Sequence, residues 1–335
     1  MNENWQNFLI SNNLVNDTDK SQTLLQSPPD HGASIFPRID LGLLSVTGND
    51  ARQLLQGQVT CNIDDVTESH AGIGAFCNAK GRVLSTFFIV QQNQELLLIL
   101  PVALLAALQK RLQMYILRAD VQLENKTSDL CLIGMQADST VNLDLPDQVL
   151  QTQVLSDNNL VFKYPVGDHW LWLGTDQQAM AFWQHMTEQK LVQGQTQQSG
   201  LLHEIDAGIP WITTETSELF IPQSINLDQL EGINFNKGCY TGQEIVARTH
   251  YLGKSKNKMV RAHSEVSTHA LPGAKLFNLD SDSKQSIGNI VNVVEVGNRN
   301  KMLVVIKQEL AQAQNLGLDD LQTTITLKAD TETWG

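Results

Sequence analysis

The chain lacks most of what would make a first functional reading easy. Its four cysteines, Cys61, Cys77, Cys131 and Cys239, contain no C-x-x-C pair, which argues against a disulfide framework and a four-cysteine zinc site and fits a reducing compartment. Basic residues are scarce. Lys and Arg total 23 against 36 Asp and Glu, a net charge of −13, so wholesale wrapping of a polyanion is disfavoured and any such partner must meet a local patch. Long apolar runs are missing too. The longest, Leu96–Leu108, is broken by Pro101, whereas a bilayer-spanning helix needs about 20 residues. The first residues show neither the basic start nor the apolar stretch of an export signal. The expectation is a cytoplasmic protein with no membrane segment.

Several enzyme signatures are absent. Gly72-x-Gly74-x-x-Cys77 misses the third glycine of a dinucleotide loop, and there is no G-x-x-x-x-G-K-[ST] and no G-x-S-x-G. His203-Glu204 is followed by Ala207 where a metalloprotease helix places its second histidine, and the eight histidines are scattered, so no metal site is expected.

What remains, 335 residues with 41% apolar and 18% charged, is an ordinary globular composition long enough for two or three domains. Residues 1–30 are polar and end in Ser27-Pro28-Pro29-Asp30; they read as a loosely docked tail. Residues 31–253 read as an α+β body. A strand in IDLGLLSV leads to a short helix carrying Leu54 and Leu55. The run 72–91 forms a hairpin turning at Asn78-Ala79-Lys80-Gly81, where Gly81 supplies a positive φ. A strand over Glu95–Leu100 precedes a helix to about Leu117 with Leu104, Leu105, Leu108, Leu112 and Ile116 on one face. Beyond Lys254, short strands parted by Gly, Asn, Asp and Pro predict a small β-barrel over 254–335.

Chemistry concentrates in Asn234–Arg248. Cys239 sits between Gly238 and Gly242, two residues after Lys237. A bent backbone, a nearby ammonium and a helix starting at Thr241 or Gly242 would favour thiolate; the alternative is a small residue packed in a tight turn. Between Lys237 and His263 the chain carries Lys237, Arg248, Lys254, Lys256, Lys258 and Arg261 against one acid, Glu244, interleaved with Tyr240, His250 and Tyr251. This strip reads either as a phosphate- or carboxylate-binding patch or as a solvated linker. Asp206, in HEIDAGIP, reads either as a carboxylate that accepts paired N–H donors from a heterocycle or as a surface cap.

The segment KGCYTGQE at 237–244, with EIDAGIP and LFIPQSINLDQLEGINFNKG before it and GQVTCNI at 57–63 and the AKGR turn far upstream, resembles the signature of the YgfZ family, folate-binding proteins related to the glycine-cleavage aminomethyltransferase. The resemblance covers all but the N-terminal tail and is tightest over 203–253. It implies an α+β body built like the aminomethyltransferase GcvT, with a folate cavity and a C-terminal β-barrel. It implies tetrahydrofolate or a one-carbon derivative as ligand, iron–sulfur enzymes as clients, and tRNA methylthiolation as a downstream effect.

Carried over by position, Cys239 becomes the key functional residue, assisted by Lys237, with Gly238, Gly242 and Gln243 completing the motif. Asp206, Tyr240, Glu244, Arg248 and Leu41 become the expected folate contacts. Three departures mark this chain. Arg82–Thr86 lacks the carboxylate that serves aminomethyl transfer in the relatives, and Asp206 and Leu41 stand where a glutamate and an aromatic are expected. The resemblance therefore favours an accessory protein, with a folate-dependent one-carbon transferase as the alternative.

Overall fold

The structure is a computed structural model that describes residues 2–15, 32–137, 143–155, 158–188, 192–253, 255–264, 270–281, 285–310, 316–318 and 324–325. In chain order the elements are α1 (Glu3–Ser11), β1 (Ala33–Pro37), β2 (Leu41–Thr47), α2 (Ala51–Gln56), β3 (Gly72–Cys77), β4 (Val83–Gln92), β5 (Glu95–Pro101), α3 (Val102–Ile116), β6 (Gln122–Asn125), β7 (Cys131–Ala137), β8 (Thr152–Val154), β9 (Leu160–Lys163) and β10 (His169–Gly174). They continue as α4 (Asp176–Glu188), β11 (Gln193–Gly194), α5 (Gln197–Ala207), α6 (Gln243–Leu252), β12 (Asn257–Ser264), β13 (Lys275–Asn278), β14 (Gly288–Val296), β15 (Arg299–Lys307), β16 (Leu316–Gly317) and β17 (Thr324–Ile325).

Three sheets organise them. One has the order β3-β4-β5-β2-β6, a second β11-β1-β7-β10-β9-β8, and a third β12-β15-β14-β13-β16-β17. The third curls into a half-barrel, its last strand returning beside its first. This agrees with the α+β class and the C-terminal barrel expected from the sequence. Parts of the expected barrel segment 254–335 lie outside the described residues, among them Lys254 and all residues after 318 except Thr324–Ile325.

The near-continuous apolar run of β5 follows from burial on both faces. Leu97 and Ile99 enter the large central core, while Leu96, Leu98 and Leu100 pack against α2 and α3 in a second one. Successive side chains of a strand point to opposite faces, so a doubly covered strand has no polar position to alternate with. The neighbouring β2 repeats this, with Leu41 and Leu43 on one side and Leu44 and Val46 on the other. Helix α3 buries Leu104, Leu105, Leu108 and Leu112, the predicted stripe.

The N-terminal segment departs from expectation. Residues 3–11 are not a loose tail but α1, capped by the Asn2 side chain, with Trp5 and Leu9 buried and Trp5 edge-on to Trp183 of α4 at 6.1 Å. Trp5, Phe8 and Leu9 form an i, i+3, i+4 apolar set within a polar stretch. Burying an aromatic and a leucine contributes about 1.5–3 kcal/mol each, enough to dock a short helix.

Candidate functional site

Three separated motifs meet around Cys239. Asn234 opens the loop by accepting hydrogen bonds from the backbone N–H groups of Asn236 and Lys237 at its Oδ1, both at 2.9 Å. The loop is then tied to GQVTC: Asn234 N–H donates to Thr60 O (2.9 Å), Thr241 N–H to Gly57 O (3.2 Å), and the Thr60 hydroxyl to Gly232 O (2.6 Å). The AKGR turn packs from the other side. Gly81, at φ +68°, is so close to α6 that a Cβ would meet Ile245 Cβ at 2.9 Å. Gly242, at φ +86°, would place a Cβ 2.5 Å from Asn78 O. Both glycines are therefore required by backbone conformation and by space. Gly238 is not: its φ is not positive and a Cβ there meets nothing within 4 Å. The bend expected at that glycine rests on Gly242 and on the Asn234 turn instead.

On this platform Cys239 is exposed, while Cys61, Cys77 and Cys131 are buried. Burial pushes each of those three thiols up to about 12, so they remain protonated and unreactive. Lys237, the residue expected to assist Cys239, is engaged by backbone carbonyls. Its Nζ donates to Cys61 O (2.6 Å) and Val59 O (2.9 Å) and lies 5.3 Å from the Tyr240 ring centroid. The ammonium turns inward onto two carbonyls of the segment after α2, and partial burial lowers it to about 8. Tyr240 is buried beneath the loop and its phenol is pushed upward by desolvation. Helix α6 starts at Gln243, leaving the thiol outside its first turn, and Glu244 and Arg248 lie exposed on it.

The expected folate contacts are not drawn into one hydrogen-bonded set. Leu41 is in the central core and Tyr240 lies under the motif loop. Asp206 lies at the protein surface. It is exposed on α5 and holds Lys301 Nζ at 2.9 and 3.1 Å. The buried carboxylate of α5 is Glu204, about 200° around the helix from Asp206 by the 3.6-residue turn. Glu204 is 2% exposed. It pairs with Arg38 and accepts from the Tyr164 hydroxyl (2.9 Å) and Trp211 Nε1 (2.7 Å), and Arg38 also forks onto Asp40 at 2.7 and 2.9 Å. Burial raises the Glu204 carboxyl while Arg38 opposes the shift.

Beside this network Phe36, His203, His169 and Tyr164 follow one another with ring centroids 5.5, 6.0 and 6.3 Å apart. Both ring nitrogens of His169 are buried without a hydrogen-bond partner. Desolvation first, and His203 second, push it down to about 4. Sequence spacing carries no signal for Arg38, Glu204 or His169, since they come from different elements and meet only in the fold. Among the described residues no group of three or more metal-ligating side chains occurs, and no helix is long and apolar enough to cross a membrane.

The fold is similar to that of an aminomethyltransferase. Aminomethyltransferase T of the glycine cleavage system from Bartonella henselae superposes with a TM-score of 0.70 over 89% of this chain and 85% of that one, at 13% identity. No protein-family model matches the chain. Among curated relatives, the tRNA-modifying protein YgfZ of Colwellia psychrerythraea is 34% identical over 232 residues, 68% of this chain and 70% of the relative. That of Vibrio atlanticus is 28% identical over 298 residues, 87% of each. The chain belongs to the YgfZ family.

Proposed function

We propose that this chain is a cytoplasmic, folate-binding accessory protein that supports assembly or repair of iron–sulfur clusters in a subset of enzymes, including those that methylthiolate tRNA. The observation that carries this reading is the contrast among the thiols. One cysteine of four is exposed, and it stands on a loop fixed by two other motifs of the chain. A single thiolate is too few to hold a cluster, so a client enzyme would supply the remaining ligands.

A pterin is supported by the unpartnered nitrogens of His169 within a column of rings. Buried polar atoms without partners are costly, and a heterocycle bearing N–H groups and ring nitrogens would relieve them. In this reading His169, His203 and Tyr164 hold the ring system, and tetrahydrofolate supplies one-carbon carriage when bound. Aminomethyl transfer is disfavoured because Arg82-Val83-Leu84-Ser85-Thr86 offers no carboxylate.

Calorimetric titration with tetrahydrofolate, repeated on His169→Phe, tests the pocket. Saturable binding that weakens at least tenfold in the variant is expected, and undiminished binding contradicts it. Incubation with methylene-tetrahydrofolate and small amines tests the role: turnover that survives Cys239→Ala would replace the accessory reading by that of a one-carbon transferase.

A further inference from the structure

Lys256 and Lys258 of the basic strip are not used by the folate reading, and they border a site of their own. Helix α6, the turn at Pro222–Ile225 and the start of β12 enclose two adjoining clefts of about 260 and 300 Å³, which share Thr249, Ser255 and Asn257. Gln223 and Asn226 line the first, only 8% and 2% exposed. Each points its amide nitrogen at the fold: Gln223 Nε2 donates to Val246 O (2.7 Å) and Asn226 Nδ2 to Met259 O (3.0 Å). That fixes both amides and leaves Gln223 Oε1 and Asn226 Oδ1 buried with no partner. An unmade hydrogen bond of this kind costs about 1–3 kcal/mol. Two at one cleft mark a place where a donor-bearing ligand relieves both.

The surroundings narrow the ligand. Asp228 adds a third acceptor in the first cleft, and Lys258 lies on its wall. Arg82 and Lys256 line the second; one Arg82 nitrogen is engaged by Leu219 O at 2.7 Å, and the rest of the guanidinium keeps its donors. His250, also on the first cleft, stacks on Phe235 at 3.7 Å, with Tyr251 edge-on to both and 64% exposed. Acceptors at depth, cations at the margin and aromatic faces alongside match a nucleotide: an amino-bearing base inside, phosphate outside and a neighbouring base on the rings.

We propose that these clefts form a nucleotide site, selective for bases with an exocyclic amino group, with phosphate held by Lys256, Lys258 and Arg82. Free nucleotides and single-stranded RNA present the same chemistry, and the test separates them. Fluorescence anisotropy of labelled oligo(A), oligo(C) and oligo(U) RNA is measured on the full chain at several salt concentrations, with AMP as competitor.

Oligo(A) and oligo(C) are expected to bind at least tenfold more tightly than oligo(U). Lys256→Glu with Lys258→Glu should weaken binding tenfold or more and reduce the log–log salt slope by about 1.4, for two phosphates on a single strand. Gln223→Met should level the three RNAs; because Gln223 is buried, the lysine pair at the cleft margin decides the matter if that variant fails to fold. Efficient competition by AMP assigns the site to free nucleotides, and failure of AMP to compete assigns it to an RNA strand. Absence of binding by both RNA and AMP, equal affinity for the three RNAs, or unchanged affinity in the lysine variant overturns the proposal.

Discussion

Two regions of this protein use polar residues in opposite ways. Around Glu204 the polar groups face one another: Arg38, Tyr164 and Trp211 saturate a buried carboxylate, and Asp40 holds Arg38 from its other side. Around Cys239 the polar groups face the backbone instead. Lys237, Thr241 and Asn234 hold a loop in place and leave the thiol itself exposed. The first region spends its chemistry on the fold, and the second spends fold on presenting chemistry. A buried charged residue is thus a poor guide to the reactive site here, and an exposed one held by an over-determined loop is a better one.

The largest effect that would break the comparison is on stability. Glu204→Ala leaves Arg38 buried with one carboxylate fewer, at an expected cost of about 3–5 kcal/mol, read as a fall in the urea midpoint. Cys239→Ser should cost no more than about 0.5 kcal/mol. Equal losses would mean that the motif thiol is a packing residue.

The next test uses pH. His169 sits near 4 when folded against an ordinary value of 6.5, so between those values the unfolded chain binds more protons. Stability should therefore fall as pH drops from about 6.5 towards 4, by at most about 3 kcal/mol, and His169→Phe should flatten that segment. Lys237 provides the motif-side counterpart, at about 8 when folded against 10.5. Again the unfolded state holds the extra proton, so wild type should gain on Lys237→Met as pH rises from about 8 to 10. An unchanged difference across that window would mean that Lys237 is not desolvated.

The smallest effect is expected at Asp206. Its pair with Lys301 is exposed on both sides, so Asp206→Ala should change stability by no more than about 1 kcal/mol. A larger loss would return this residue to the interior.

The two regions were also unequally legible. The motif loop is contiguous, so Gly242 and Cys239 could be read from the chain, and the AKGR hairpin was legible because a turn is a local event. The same logic recovers β5 and α3, whose periodicity is written in adjacent leucines. Lys237 misled because sequence distance to a thiol says nothing about which carbonyls lie behind the loop. The inward place of Glu204 was hidden for a similar reason. Two acids two residues apart cannot share a helix face, and only the position of Arg38, contributed by the end of β1, decides which turns inward. Helix α1 was readable but masked by its polar context.

Cys239 is the proposed functional thiol, and genetic rescue tests that role. A strain lacking its native homologue is supplied with wild type, Cys239→Ala or Asp206→Ala at matched protein levels, and tRNA methylthiolation and iron–sulfur enzyme activity are scored. The expected result is rescue by wild type and Asp206→Ala and failure of Cys239→Ala in both readouts. Full rescue by Cys239→Ala would contradict it.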